Sequence, residues 1–217
     1  AEISGTGTAE LQIRGGKPLY GTTYCVQPDR IETATFLCAA AGCGGEILLR
    51  RTDVRTVRSV TALLRQAGCE LLEEQDSILL RKSGRIGTIP DVKTDVYPGF
   101  PTDCQAILTA ALLRAEGESR IGETVFEDRF HHVPELQKLG AKLEIHHNTV
   151  HISGVRTLSG AKLTARDLRG GAALVLAAMQ AEGESRVEGL THIDRGYERF
   201  AEKLRALGAD IERISAG

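Results

Sequence analysis

Long uncharged runs are missing from this chain: the longest, Thr33 to Gly45, falls short of the ~18 residues a bilayer span needs, which excludes a membrane helix and predicts a soluble chain. A positive excess is missing as well. The formal net charge of −2 leaves no electrostatic footprint for nucleic acid. The five cysteines, an odd number among small apolar neighbours, lack any C-x-x-C spacing, so no metal site is expected and they read as reduced thiols of a cytoplasmic protein. Lysine is scarce, 7 residues against 20 arginines. Arginine is the better fork for phosphate and carboxylate, although genome base composition produces the same bias. The opening, "AEISGTGTAEL", lacks the charged and apolar regions of a secretion signal and lacks Met, so a trimmed piece is expected.

What is present is a repeat. The phrases "LLRQAGCELL", "LQKLGAKLEI" and "LRALGADIERI" recur about every 70 residues around Gly68, Gly140 and Gly208. Each reads as a helix stopped by a left-handed glycine and followed by a strand. Earlier in each unit stand an uncharged, Ala-rich stretch ("TATFLCAAAGCGG", "CQAILTAALL", "GGAALVLAAMQA") and a Gly-led strand ("GGEILLRR", "GESRIGETV", "GESRVEGL"). The Ala-rich helices have no polar face and should be buried all round, whereas second helices such as "GYERFAEKLRALG" are amphipathic and should lie on a sheet. Hairpins are predicted at "CELLEEQDSILLRKS" and "AKLEIHHNTVHISG". The expected class is α/β: one domain of three repeats, approximately 16–84, 85–154 and 155–217, around a pseudo-threefold axis, with buried helices inside and sheets outside.

The entrances to the buried helices, "VQPDRIETATF", "FPTDCQAIL" and "TARDLRGGAAL", carry Asp29, Asp103 and Asp167 at equivalent positions. Aspartate is an ordinary N-cap there, and capping is the expected shared duty of all three. Arg30 and Arg169 adjoin two of these caps, and the later connections bring Arg129 and Arg195. Helix N-termini and arginines attract anions. If the packing gathers these ends, they form a pocket for a doubly anionic substrate with one carboxylate able to act as base.

"PDRIETATF", "FPTDCQA", "ETVFEDRFHHVPEL", "LTARDLRGGAALVLA" and "HIDRGYERFAEKLRALGA" resemble, in order and across nearly the whole chain, the C-terminal half of the UDP-N-acetylglucosamine 1-carboxyvinyltransferase (enolpyruvyl transferase) family. The resemblance implies an inside-out α/β barrel. It implies transfer of the enolpyruvyl group of phosphoenolpyruvate to the 3′-hydroxyl of UDP-N-acetylglucosamine with release of phosphate, the first committed step of peptidoglycan synthesis, with no cofactor or metal. By the same resemblance Asp103 is the proton-transfer carboxylate. Val125 and Phe126 contact the amino sugar. Arg129, Arg169 and Arg195, with Asp167 beside them, bind the phosphate and carboxylate of phosphoenolpyruvate, and Arg30 is a further active-site arginine. The family's reactive cysteine, its uridine contacts, further arginines and a Lys–Asn pair lie in the other half. The chain is therefore expected to need that half for turnover, and to self-associate through exposed apolar or strand-edge surface without it.

Competing readings are weaker. "SGTGTAEL" lacks the third Gly or Lys–Ser of a phosphate loop and leads into a strand-like "LQIRGG". His146, His147 and His151 fall on a hairpin whose neighbours alternate faces. Packing or hydrogen bonding is expected of His131 and His132. Cys104, in the first turn of a buried helix, is expected to be inert. The runner-up enzyme is 5-enolpyruvylshikimate-3-phosphate synthase, and the non-enzymatic alternative is a sugar-nucleotide-binding module.

Overall fold

The computed structural model describes residues 1–214. The chain begins with a small hairpin, β1 (Glu2–Ser4) and β2 (Gln12–Arg14), followed by helix α1 (Arg30–Cys43), β3 (Gly45–Arg50), α2 (Arg58–Gln66), β4 (Glu70–Glu73) and β5 (Ser77–Lys82). Next come β6 (Val92–Lys93), α3 (Gln105–Leu112), β7 (Glu118–Gly122), α4 (Val133–Gln137), β8 (Lys142–His146) and β9 (Thr149–Ser153). The last elements are β10 (Lys162–Thr164), α5 (Leu168–Ala178), β11 (Arg186–Glu188), α6 (Thr191–Asp194) and α7 (Phe200–Ala206).

The three Ala-rich helices α1, α3 and α5 pack on one another at the centre. Every residue of α3 is buried, as a helix without a polar face requires. Small side chains let the helices approach closely: a Cβ on Gly42 of α1 would lie 3.1 Å from the Ala111 Cα of α3. Gln180 ties the end of α5 to α3 by donating to the Ala110 carbonyl at 2.9 Å. Around the helices stand a three-stranded antiparallel sheet, β3-β5-β4, and a mixed four-stranded sheet, β6-β7-β9-β8. The inner faces contribute Ile47, Leu71, Ile78, Leu80, Leu143, Val150 and Ile152 to the core, while Leu48, Leu72 and Ile145 look outward. Truncating a central leucine such as Leu108, fully buried, costs about 2–5 kcal/mol.

The helix-stopping glycines take the left-handed conformation, with φ of 84° at Gly68, 85° at Gly140 and 99° at Gly208. After Gly68 and Gly140 the predicted hairpins form, with Leu71 opposite Leu80 and Leu143 opposite Ile152. After Gly208 the expected strand is absent among the described residues. In the third unit the described residues supply no second hairpin strand to partner it, β10 and β11 pairing in parallel with each other. Side chains hold that segment instead: Arg205 Nε donates to the Ile211 carbonyl at 2.7 Å, and Arg213 pairs with Asp194. The amphipathic helix of the middle unit shortens to five residues, with Pro134 in its first turn.

Two bonds join α1 to the last unit, one inside the core and one at its part-exposed rim. The buried Tyr197 hydroxyl meets Thr35 Oγ1 of α1 at 2.8 Å, and Lys203 of α7 pairs with Glu32 of α1 at 2.7 Å. Residues 15–29 form neither helix nor strand and are exposed, Tyr20 and Val26 among them.

Candidate active site

Asp29 and Asp167 behave as the repeat predicts. Asp29 accepts from the backbone N–H of Ile31 and Glu32 at 2.7 and 3.3 Å, and Asp167 accepts from Gly170 N–H at 2.7 Å. Asp103 does not cap its helix, contrary to the sequence expectation. A 3₁₀ turn, Thr102–Cys104, precedes α3, and its backbone already satisfies the first N–H groups: Cys104 N–H donates to the Pro101 carbonyl, and Gln105 N–H to that of Thr102. The Asp103 carboxylate is left to the side, where two guanidinium groups take it.

Arg129 Nη2 donates to Asp103 Oδ1 at 2.6 Å. Arg169, from the first turn of α5, donates to Oδ2 through Nε at 3.3 Å and Nη2 at 3.2 Å. Arg129 also donates through Nη1 to Thr102 Oγ1 at 2.5 Å and lies 4.9 Å from the centroid of the Phe126 ring. Arg169 lies 5.3 Å from the centroid of Tyr197, an attractive cation–π arrangement in both cases. Among the described residues, Arg169 Nη1 has no hydrogen-bond acceptor although it is buried. Burial pushes the Asp103 carboxyl up, but the hydrogen bond from Arg129 and the charge of Arg169 outweigh it and hold the group below the ordinary carboxylate range.

The three entrances contribute unequally. Asp103, Arg129 and Arg169 are in direct contact, and Phe126 packs on Arg129. Arg30 stands over Tyr97, 5.2 Å from the ring centroid. Asp167 is occupied in capping. Arg195, exposed at the end of α6, forms no ion pair with another described residue. The Val125 side chain is exposed while its N–H donates to Glu123.

Cys104 is fully buried. Burial, reinforced by the neighbouring Asp103 charge, pushes its thiol up to about 12, so it is no nucleophile at neutral pH. Burial pushes His132 down to about 4, which keeps the ring neutral. His146 and His151 stack edge to face at 4.7 Å, and no cluster of three or more metal-ligating side chains exists among the described residues. No helix there is long and apolar enough to cross a membrane.

The sequence reading missed Glu123 and Tyr197. Glu123 follows β7 and is 2% exposed, accepting from the Thr94 and Thr102 hydroxyls at 2.7 Å each and from the N–H groups of Val125 and Phe126 at 2.9 and 3.2 Å. Burial raises this carboxyl, and the four donors more than reverse that. The sequence signal was the Thr–Glu–Thr combination of Thr94, Glu123 and Thr102, which no periodicity singles out.

The chain resembles known proteins over most of its length. The family model of EPSP synthase (3-phosphoshikimate 1-carboxyvinyltransferase) matches residues 1–204. A curated UDP-N-acetylglucosamine 1-carboxyvinyltransferase from Granulibacter bethesdensis is 51% identical over 217 residues, covering 99% of this chain and 51% of the relative. The chain thus spans about half the length of the curated relatives it matches. The crystal structure of the enolpyruvyl transferase NikO from Streptomyces tendae superposes with a TM-score of 0.74 at 28% identity, over 86% of this chain and 44% of that one. EPSP synthase from Acinetobacter baumannii, 19% identical, shares the fold with a TM-score of 0.73 over 99% of this chain and 53% of its own. These neighbours share the inside-out α/β barrel. The chain therefore belongs to the EPSP synthase (3-phosphoshikimate 1-carboxyvinyltransferase) family of enolpyruvyl transferases.

Proposed function

We propose that this chain supplies one half of a UDP-N-acetylglucosamine 1-carboxyvinyltransferase, a single barrel of three repeats near 16–84, 85–154 and 155–217. The complete enzyme moves the enolpyruvyl group of phosphoenolpyruvate to the 3′-hydroxyl of the amino sugar. The observation that carries the reading is the Asp103 carboxylate clamped between Arg129 and Arg169. An alcohol of high pKa must lose its proton as its oxygen bonds to carbon 2 of phosphoenolpyruvate while carbon 3 takes up a proton. Carbon 3 then gives one up as the bond from carbon 2 to the phosphate oxygen breaks and phosphate leaves. A carboxylate within hydrogen-bond reach is suited to take the alcohol proton. At rest the two guanidiniums make Asp103 a weak base. A phosphate or carboxylate arriving between them competes for the same donors, so the cations turn to the substrate and the basicity of Asp103 rises as the alcohol is seated. Arg169 Nη1, still short of an acceptor, suits such an anion. In this reading Arg195 joins Arg129 and Arg169 on phosphoenolpyruvate, Arg30 is a further active-site arginine, Val125 and Phe126 flank the sugar, and Asp167 holds the entrance of α5.

The reading places the protein in the cytoplasm, in peptidoglycan and cell-wall synthesis, and through that in cell shape, cell cycle and cell division. The chain alone is inactive, because groups that meet both substrates belong to the other half, and its exposed surface at Leu19, Tyr20, Tyr24 and Val26 supports self-association. Calorimetric titration with UDP-N-acetylglucosamine and with shikimate 3-phosphate, each with phosphoenolpyruvate present, tests the proposal. Binding of the amino sugar alone supports it. Binding of shikimate 3-phosphate alone favours the second reading, which the description of the matching family supports. Enolpyruvyl transfer by the isolated chain would overturn the half-enzyme reading.

A further inference from the structure

Arg129 is held by three contacts, and two of them trace back to one buried carboxylate. Its Nη1 donates to Thr102 Oγ1, and Thr102 donates its single hydroxyl proton to Glu123 Oε2 at 2.7 Å. A hydroxyl that spends its proton on a carboxylate must present lone pairs to every other neighbour, which is the orientation a guanidinium needs. The second contact is the Phe126 ring beneath Arg129, and the backbone N–H groups of Phe126 and Val125 both end on Glu123 Oε1. The remaining donor to Oε1 is Thr94, whose oxygen in turn accepts from Thr124 N–H at 2.8 Å. Glu123 is thus surrounded by four donors, and only a group that accepts at both oxygens satisfies them all.

We propose that Glu123 is a positioning residue of the anion site: through the Thr102 hydroxyl and the Val125–Phe126 turn it aims Arg129 at Asp103 and at the incoming anion. Its own carboxylate touches no reacting atom and is closed off by protein. A glutamine here could keep its carbonyl oxygen toward the three donors at the Oε1 position, but its NH2 would then face Thr102, competing with Arg129 for the lone pairs of Oγ1 and taking away the acceptor that fixes the hydroxyl proton. The relevance to phosphoenolpyruvate rests on the function proposed above. The aim of Arg129 does not.

The test uses the isotopically labelled chain carrying Glu123→Gln, Thr102→Val or Thr102→Ser. Three readings are taken: the titration midpoint of the Asp103 carboxyl carbon, the splitting of the Arg129 Nη resonances that reports a pinned guanidinium, and the affinity for phosphoenolpyruvate. Glu123→Gln and Thr102→Val are expected to raise the Asp103 midpoint, collapse the Arg129 splitting and weaken phosphoenolpyruvate binding about tenfold, the value of one hydrogen bond to a charged group. Thr102→Ser restores the hydroxyl and returns all three readings. If both disruptive variants lower only the melting temperature and leave the midpoint and the splitting in place, Glu123 is a structural residue and the inference fails. Should Glu123→Gln not fold, Thr102→Val decides alone. Should the unaltered chain bind no phosphoenolpyruvate, the functional reading suffers, while the first two readings still judge the role of Glu123.

Discussion

Asp29 and Asp103 occupy equivalent places in the repeat and do different work. At α1 the carboxylate turns back onto the backbone and closes the helix. At α3 a 3₁₀ turn closes the backbone by itself, and the carboxylate is free to meet Arg129 and Arg169. A repeated residue thus escapes its structural duty when the backbone satisfies itself, and a local change of helix entrance is enough to release a carboxylate to partners from distant segments.

The comparison can be broken most forcefully at Asp103. Joined to the other half to give the complete enzyme, Asp103→Asn should lose at least about 100-fold in turnover, measured by phosphate release, with the fold kept by circular dichroism. Activity near that of the parent would return Asp103 to a structural role. Asp29→Ala in the same enzyme should cost about 1 kcal/mol of stability, read from urea unfolding, with little change in turnover per folded molecule.

A pH titration sharpens the same contrast. The folded pKa of Asp103 is lowered, so its stabilising contribution is fully present above the ordinary aspartate pKa of about 3.9 and is lost as pH falls through the lowered folded value. The stability gap between the parent and Asp103→Asn should therefore be constant near neutrality and narrow below about pH 4. A gap that widened with acid would contradict the ion-pair geometry. The smallest effect is expected for Asp29→Asn, within a few tenths of a kcal/mol, because an amide oxygen still accepts from the free N–H groups.

Periodicity revealed the buried helices, the two hairpins and the glycine stops, because each follows from local pattern or from a φ that L side chains avoid. Gly68, Gly140 and Gly208 could be read directly. The strand expected after Gly208 could not, since "ADIERI" alternates as a strand does while the hairpin partner that the first two units supply is absent among the described residues. The site was half legible. Asp103 stood out, yet its helix-capping propensity masked its real partners, which lie 26 and 66 residues away along the chain. Glu123 escaped notice because a glutamate at the end of a strand ordinarily points to water, and its burial depends on two threonines delivered by other segments.

The bond between Thr35 and Tyr197 sets an order of events during synthesis. Its partners are separated by 162 residues, so α1 emerges from the ribosome long before the group that completes its inner face. The early part of the chain must wait, with the Thr35 side of its first core helix uncovered, until the last unit arrives. Formation of this contact is a long-range step of the kind that slows folding, and a chain stopped before Tyr197 never makes it.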